Sequence, residues 1–153
     1  MSERPEPQPP QPTRSLKHLG ILVGKWAMLG THPAFPSAAR GSSTFEWLAE
    51  DALLIWHFDW EQPGPPSALS VIGLDDTADA CCVLYSDQRG VGRMYQMKLE
   101  GGVWKMWRES TGFSQRMTGT FSEDMKTIRL HGELSHDGSN WEQDLDITYS
   151  RQE

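Results

Sequence analysis

From Gly24 to Arg151 the apolar and polar positions alternate in short runs, and after the opening segment no apolar period is long enough for a helix. The runs predict strands at about 24–30, 42–49, 52–60, 68–75, 80–87, 91–100, 103–110, 113–121, 126–135 and 140–150. Turn formers separate them: Pro63-Gly64-Pro65-Pro66, Asp75-Asp76, Arg89-Gly90, Gly101-Gly102, Glu123-Asp124 and His136-Asp137-Gly138. Consecutive hairpins of this kind either stack as a sandwich or close on themselves. The expectation is an all-β chain forming a single closed antiparallel up-and-down barrel of about ten strands. Ahead of it, Leu16, Leu19 and Leu22 stand three apart and predict a short helix whose apolar face plugs one end.

The alternation also predicts faces and partners. In the last strand Trp141, Gln143, Leu145, Ile147 and Tyr149 are expected inward and Glu142, Asp144, Asp146 and Thr148 outward. Pairing Ser135 with Asn140 would put Arg129 beside Asp146 and His131 beside Asp144, a complementary outer ladder. Phe45 by Trp56 and Trp47 by Leu54 would make an aromatic wall continuing through Phe58. A two-residue turn at Gly101-Gly102 pairs Leu99 with Trp104, Met97 with Met106, Tyr95 with Arg108 and Arg93 with Ser110. Apolar partners then match at one end of the hairpin, while arginine and tyrosine gather at the other.

A length of 153 residues suits one domain with a substantial core. Residues 1–13 hold five prolines and no apolar cluster; they are expected to be a disordered polar tail, and residues 14–153 the barrel. The tail resembles neither a signal peptide nor a membrane span, so a cytoplasmic location is expected. A net charge of -7 with scattered basic residues argues against nucleic acid as a partner. Cys81 and Cys82 are adjacent and point to opposite faces of a strand, which suits two reduced thiols rather than a disulfide or a metal site.

The opening Leu19-Gly20-Ile21-Leu22-Val23-Gly24-Lys25-Trp26, a helical turn running into Gly-x-Trp, resembles the start of calycins: lipocalins, fatty-acid-binding proteins and the nitrobindin-like group. In lipocalins that tryptophan closes the barrel floor under an arginine from the last strand, and Arg151 stands where that arginine belongs. The stretches Phe45 to Leu48, Tyr85 to Tyr95 and Trp141 to Tyr149 also resemble an uncharacterised bacterial family of calycin-like proteins. The resemblance implies a barrel with an interior cavity and names no activity. Nitrobindin-like relatives bind haem through a histidine on the closing part of the barrel. Here Trp141 to Arg151 contains none, which leaves His32, His57 and His131 as single candidates and no cofactor expected.

An inward Arg93, Tyr95 and Arg108 demand an acidic partner, because an unpaired buried guanidinium is costly. That partner is either internal (Asp87, Glu46, or Glu109 after a one-residue slip) or the carboxylate or phosphate of a ligand. Fatty-acid-binding proteins hold their ligands with a similar Arg-x-Tyr clamp and second arginine, placed on the final strand. Tyr85 joins the polar end of the expected ligand site, and Trp56 and Trp104 its apolar wall. Core packing accounts for most of the seven tryptophans. Tyr85, Asp87, Arg93 and Tyr95 also have the chemistry of proton donors and acceptors, so the alternative to a small-molecule binder is a non-metal acid/base enzyme of isomerase or cyclase type. A third possibility is a structural or partner-binding module with a filled interior. In any of these roles the chain is expected as a monomer or homodimer. No catalytic triad, no metal-ligand spacing and no phosphate loop is discernible; Gly90-Val91-Gly92 lies at a hairpin.

Overall fold

The predicted strands all form, and they close. A computed structural model describes residues 14–49 and 52–153; the expected tail at 1–13 lies outside the described residues. A 3-10 helix, Lys17–Leu22, leads into β1 (Gly24–Thr31), β2 (Ala39–Ala49), β3 (Leu53–Trp60), β4 (Ala68–Leu74) and β5 (Cys81–Asp87). The chain continues through β6 (Gly92–Glu100), β7 (Val103–Arg108), β8 (Ser114–Phe121), β9 (Thr127–Ser135) and β10 (Glu142–Gln152). Each strand is antiparallel to its neighbours in sequence, and β1 pairs with β10 to complete the barrel. Closure leaves no free strand edge, which removes the edge-to-edge route to dimers.

Turn chemistry fixes the register where the turns are tight. Gly101 and Gly102 both have positive φ (59° and 74°), as a two-residue turn matched to the strand twist requires, and Met97 and Leu99 oppose Met106 and Trp104 as expected. Phe45 opposes Trp56 and Trp47 opposes Leu54, also as expected.

The plugged end is built from the first residues of the fold. Leu16, Leu19 and Leu22 are buried, and Trp26 is fully buried against them, its indole N–H donating to the Leu22 carbonyl at 2.9 Å. Trp26 opposes Arg151 across β1 and β10, and the Arg151 guanidinium carbon lies 4.1 Å from the Trp26 ring. The same guanidinium donates to the carbonyls of Val23 (3.0 Å) and Ile21 (2.5 Å), tying the last strand to the plug.

The last hairpin departs from the expected register. Glu142 opposes Leu134 and Gln143 opposes Glu133, but the next pairs are Asp146 with His131 and Thr148 with Arg129. Asp144 and Leu145 therefore stand together against the single residue Gly132, a β-bulge. A Cβ on Gly132 would lie 2.7 Å from the Leu145 carbonyl oxygen, so the bulge is seated on the absence of a side chain there. The expected ladder is corrected accordingly. His131 bonds Asp146 at 2.6 Å, not Asp144, and Arg129 faces Thr148. Gln143 is exposed rather than inward, and Trp141 sits under the Arg116 guanidinium at 3.9 Å.

Candidate functional site

The end of the barrel opposite the plug encloses a cavity of about 420 Å³. Its floor rests on the aromatic layer begun by the second hairpin. Phe45 and Trp56 stack at 5.0 Å between ring centroids, and Trp104 packs edge-on to both and against Tyr149. From Trp56 an aromatic ribbon climbs the wall through Phe58, Tyr85 and Tyr95 with centroid spacings of 5.1, 6.2 and 6.0 Å. Met28, Met106 and Met117 fill the facing wall, side chains flexible enough to adapt to a ligand outline.

Of the expected site residues, Arg93, Tyr95, Tyr85 and Trp56 line this cavity. Trp104 does not. It is 1% exposed and lies beneath the floor, because its strand position is one pair closer to the Gly101-Gly102 turn than Met106, the residue that reaches the cavity. Arg108 is outside the lining too, at the rim; its guanidinium carbon lies 5.8 Å from the Phe113 ring, with that of Arg93 at 4.6 Å from the same ring. The paired ladder ends at Gln96 and Trp107, short of the expected pairs of Tyr95 with Arg108 and Arg93 with Ser110, yet both arginines gather around one phenyl group.

None of the internal acids considered for these arginines reaches them. Asp87 is taken locally: Arg89 donates to it from Nη2 (2.7 Å), Nε and the backbone, and the Tyr85 hydroxyl donates at 2.7 Å. Glu46 and Glu109 are exposed. Among the described residues neither Arg93 nor Arg108 forms an ion pair.

The Arg89 bonds hold the Asp87 carboxyl well below the usual carboxylate range. Burial, and then the bond to Asp87, push the Tyr85 phenol above its ordinary value. Burial also raises Tyr95, with Arg93 and Arg108 pulling the other way. Because Asp87 is depressed on folding, its stabilisation is complete above the unfolded-state value of about 3.9 and fades as pH falls through the lower folded value. Asp87→Asn is expected to lower stability by roughly 1–3 kcal/mol at pH 7. In urea titrations from pH 7 down to pH 2 the gap to the parent protein should shrink only below about pH 4. A gap constant across that range would count against the ionised pairing.

Three cavity residues escaped the sequence reading as a group. Tyr95 donates its hydroxyl to Gln115 Oε1, Gln115 Nε2 donates to Asp144 Oδ2 at 2.9 Å, and His32 Nε2 lies 3.2 Å from Asp144 Oδ1. Asp144 was expected on the outer face; the bulge turns it inward. The available signal was Gly132, a glycine in the middle of a strand, which marks a bulge or a close backbone approach. His32 comes from the β1–β2 loop, where its Nδ1 accepts the Ala34 backbone N–H at 3.0 Å. His57 and His131 are exposed; His57 Nδ1 lies 3.6 Å from Asp59, and His131 is hydrogen-bonded to Asp146.

The chain shares its architecture with Rv2717c from M. tuberculosis, at 12% identity over 90% of this chain and 97% of that one, with a TM-score of 0.64. It is similarly related to the S-type phycobiliprotein lyase CPES from Guillardia theta, at 10% identity over 92% and 94% of the two chains, with a TM-score of 0.58. The shared architecture, a closed ten-stranded antiparallel barrel, fits the calycin-like fold that the sequence resemblance implies. No protein-family profile and no curated protein sequence matches the chain. The Gly24-Lys25-Trp26 strand start and the Arg151 cover meet as the sequence resemblance implied. Among the described residues no helix is long and apolar enough to cross a membrane, and no cluster of side chains is arranged to hold a metal ion.

Proposed function

We propose that the protein binds a small, partly apolar, anionic molecule inside its calycin-like barrel. The observation that carries this reading is a cavity of about 420 Å³ with two guanidinium groups at its mouth and, among the described residues, no carboxylate on either. A volume in the range of small-molecule sites, about 300–1,000 Å³, argues against the filled-interior alternative. The ligand's acid would take Arg93 and Arg108, Tyr95 and Tyr85 would flank it, and its apolar body would lie along Trp56 with Trp104 supporting from below.

The acid/base enzyme is the weaker reading. Asp87 is locked into a pair, and both cavity tyrosines hold their protons more tightly than usual, so none is poised for proton transfer near neutral pH. Haem fits poorly as well: both ring nitrogens of His32 are engaged, by Ala34 and by Asp144. We place the protein in the calycin group as a cytoplasmic binder with no resident cofactor.

Native mass spectrometry of protein purified from its own host tests the reading. The expected spectrum shows an acidic small molecule retained by the parent protein and lost from Arg93→Met. A spectrum with no adduct, or an adduct the protein converts to product, would overturn simple binding.

A further inference from the structure

The mouth of the cavity holds charges of both signs and keeps them apart. On one side are Arg93 and Arg108, stacked on Phe113 without an acidic partner among the described residues. On the other is Asp144, whose side chain is only 18% exposed and has no lysine or arginine partner among the described residues. Its two oxygens meet the Gln115 amide at 2.9 Å and His32 Nε2 at 3.2 Å. His32 Nδ1 accepts the Ala34 N–H, which leaves Nε2 to carry the ring proton toward Asp144. Opposite charges partly withdrawn from water ordinarily pair, because each leaves the other's desolvation unrepaid when they do not. Here the fold prevents it. Arg93 belongs to β6 and Asp144 to β10, with β7, β8 and β9 between them, and Gln115 from the middle strand spans the gap by bonding Tyr95 at one end and Asp144 at the other. The bulge against Gly132 is what aims Asp144 into this gap.

Resting on the binding reading above, we propose that the ligand is dipolar along its polar edge: an acid that meets Arg93 and Arg108, and a hydrogen-bond donor, N–H or O–H, that meets Asp144. A carboxylate with two oxygens and two protein donors still has lone pairs to accept another hydrogen bond. The apolar body of such a molecule lies on the aromatic ribbon from Trp56 to Tyr95. Asp144 is in this sense a specificity residue, selecting donors over molecules that carry the acid alone.

Three fluorescent probes with one common body separate the contributions. 2-Anilinonaphthalene-6-sulfonate carries both the anion and an N–H; its N-methyl derivative keeps the anion and loses the donor; N-phenyl-2-naphthylamine keeps the donor and loses the anion. The parent protein is expected to bind the first at least about tenfold more tightly than the second. That preference should vanish in Asp144→Leu and narrow in Asp144→Asn, which keeps the shape and one acceptor oxygen. Arg93→Met should weaken both sulfonates together and leave the neutral amine unchanged. Equal affinity of the parent protein for the two sulfonates, a comparison that needs no variant to fold, overturns the dipolar ligand while an Arg93 dependence leaves the anion site standing. So does a preference that survives in folded Asp144→Leu. Sulfonate affinity indifferent to Arg93 overturns both readings.

Discussion

Arg93→Met is expected to weaken binding of an anionic ligand roughly 30- to 1,000-fold, the equivalent of about 2–4 kcal/mol for a charge-assisted contact partly withdrawn from water. The same change in the empty protein should be neutral or stabilising. Both halves follow from one fact, that the guanidinium has a phenyl ring beneath it and, among the described residues, no carboxylate paired with it. Had Asp87 been its partner, removal of the arginine would strand a buried carboxylate and cost several kcal/mol. Asp87 instead has Arg89, two residues away, and keeps it in the variant. Thermal unfolding of Arg93→Met and Arg108→Met, each with and without ligand, checks the prediction. Marked destabilisation of both empty variants with unchanged ligand affinity would make the cluster structural.

Trp26→Ala is expected to cost about 3–5 kcal/mol, the range for deleting a fully buried tryptophan. The loss should exceed simple burial, because the indole closes the floor: it packs edge-on to Phe121 and Tyr149 and anchors to the Leu22 carbonyl. Arg151→Ala should cost less, about 2–3 kcal/mol, from its bonds to the plug carbonyls and its place over the ring. The two losses should not add. A double-mutant cycle by urea denaturation is expected to show a coupling of roughly 1 kcal/mol, the size of the cation–π contact. Strict additivity would mean that Arg151 acts through the carbonyls alone. Ligand affinity should fall little in Arg151→Ala, since floor and mouth lie at opposite ends of the barrel.

The cavity wall was legible to the extent that local rules reach. Tyr85, Arg93 and Tyr95 sit on strands whose side chains alternate without interruption, and the glycine pair of the β6–β7 turn admits one register, so their faces followed from the chain itself. Phe45 and Trp56 followed in the same way from apolar matching across β2 and β3. Depth along a strand was less accessible. Trp104 and Met106 share a face, yet one lies under the floor and the other in the wall, and the difference depends on how many aromatic groups arriving from β2, β3 and β10 fill the layer at that height.

The meeting of Trp26 with Arg151 was implied by the resemblance to calycins; what the sequence determined by itself was the number and order of strands, the plug, and the convergence of Arg93 and Arg108. Each depends on period, turn chemistry or adjacency, which act over a few residues. The tertiary structure decided which charges pair and which do not. Asp87 turned to Arg89 because the β5–β6 turn folds the two side chains together, leaving the cavity arginines without it. Asp144 turned inward because one extra residue was accommodated opposite Gly132, and a single insertion reverses the face of every side chain on one side of it. Alternation in β10 reads equally well with or without that insertion; only the strand across the sheet, with no side chain at 132, selects it.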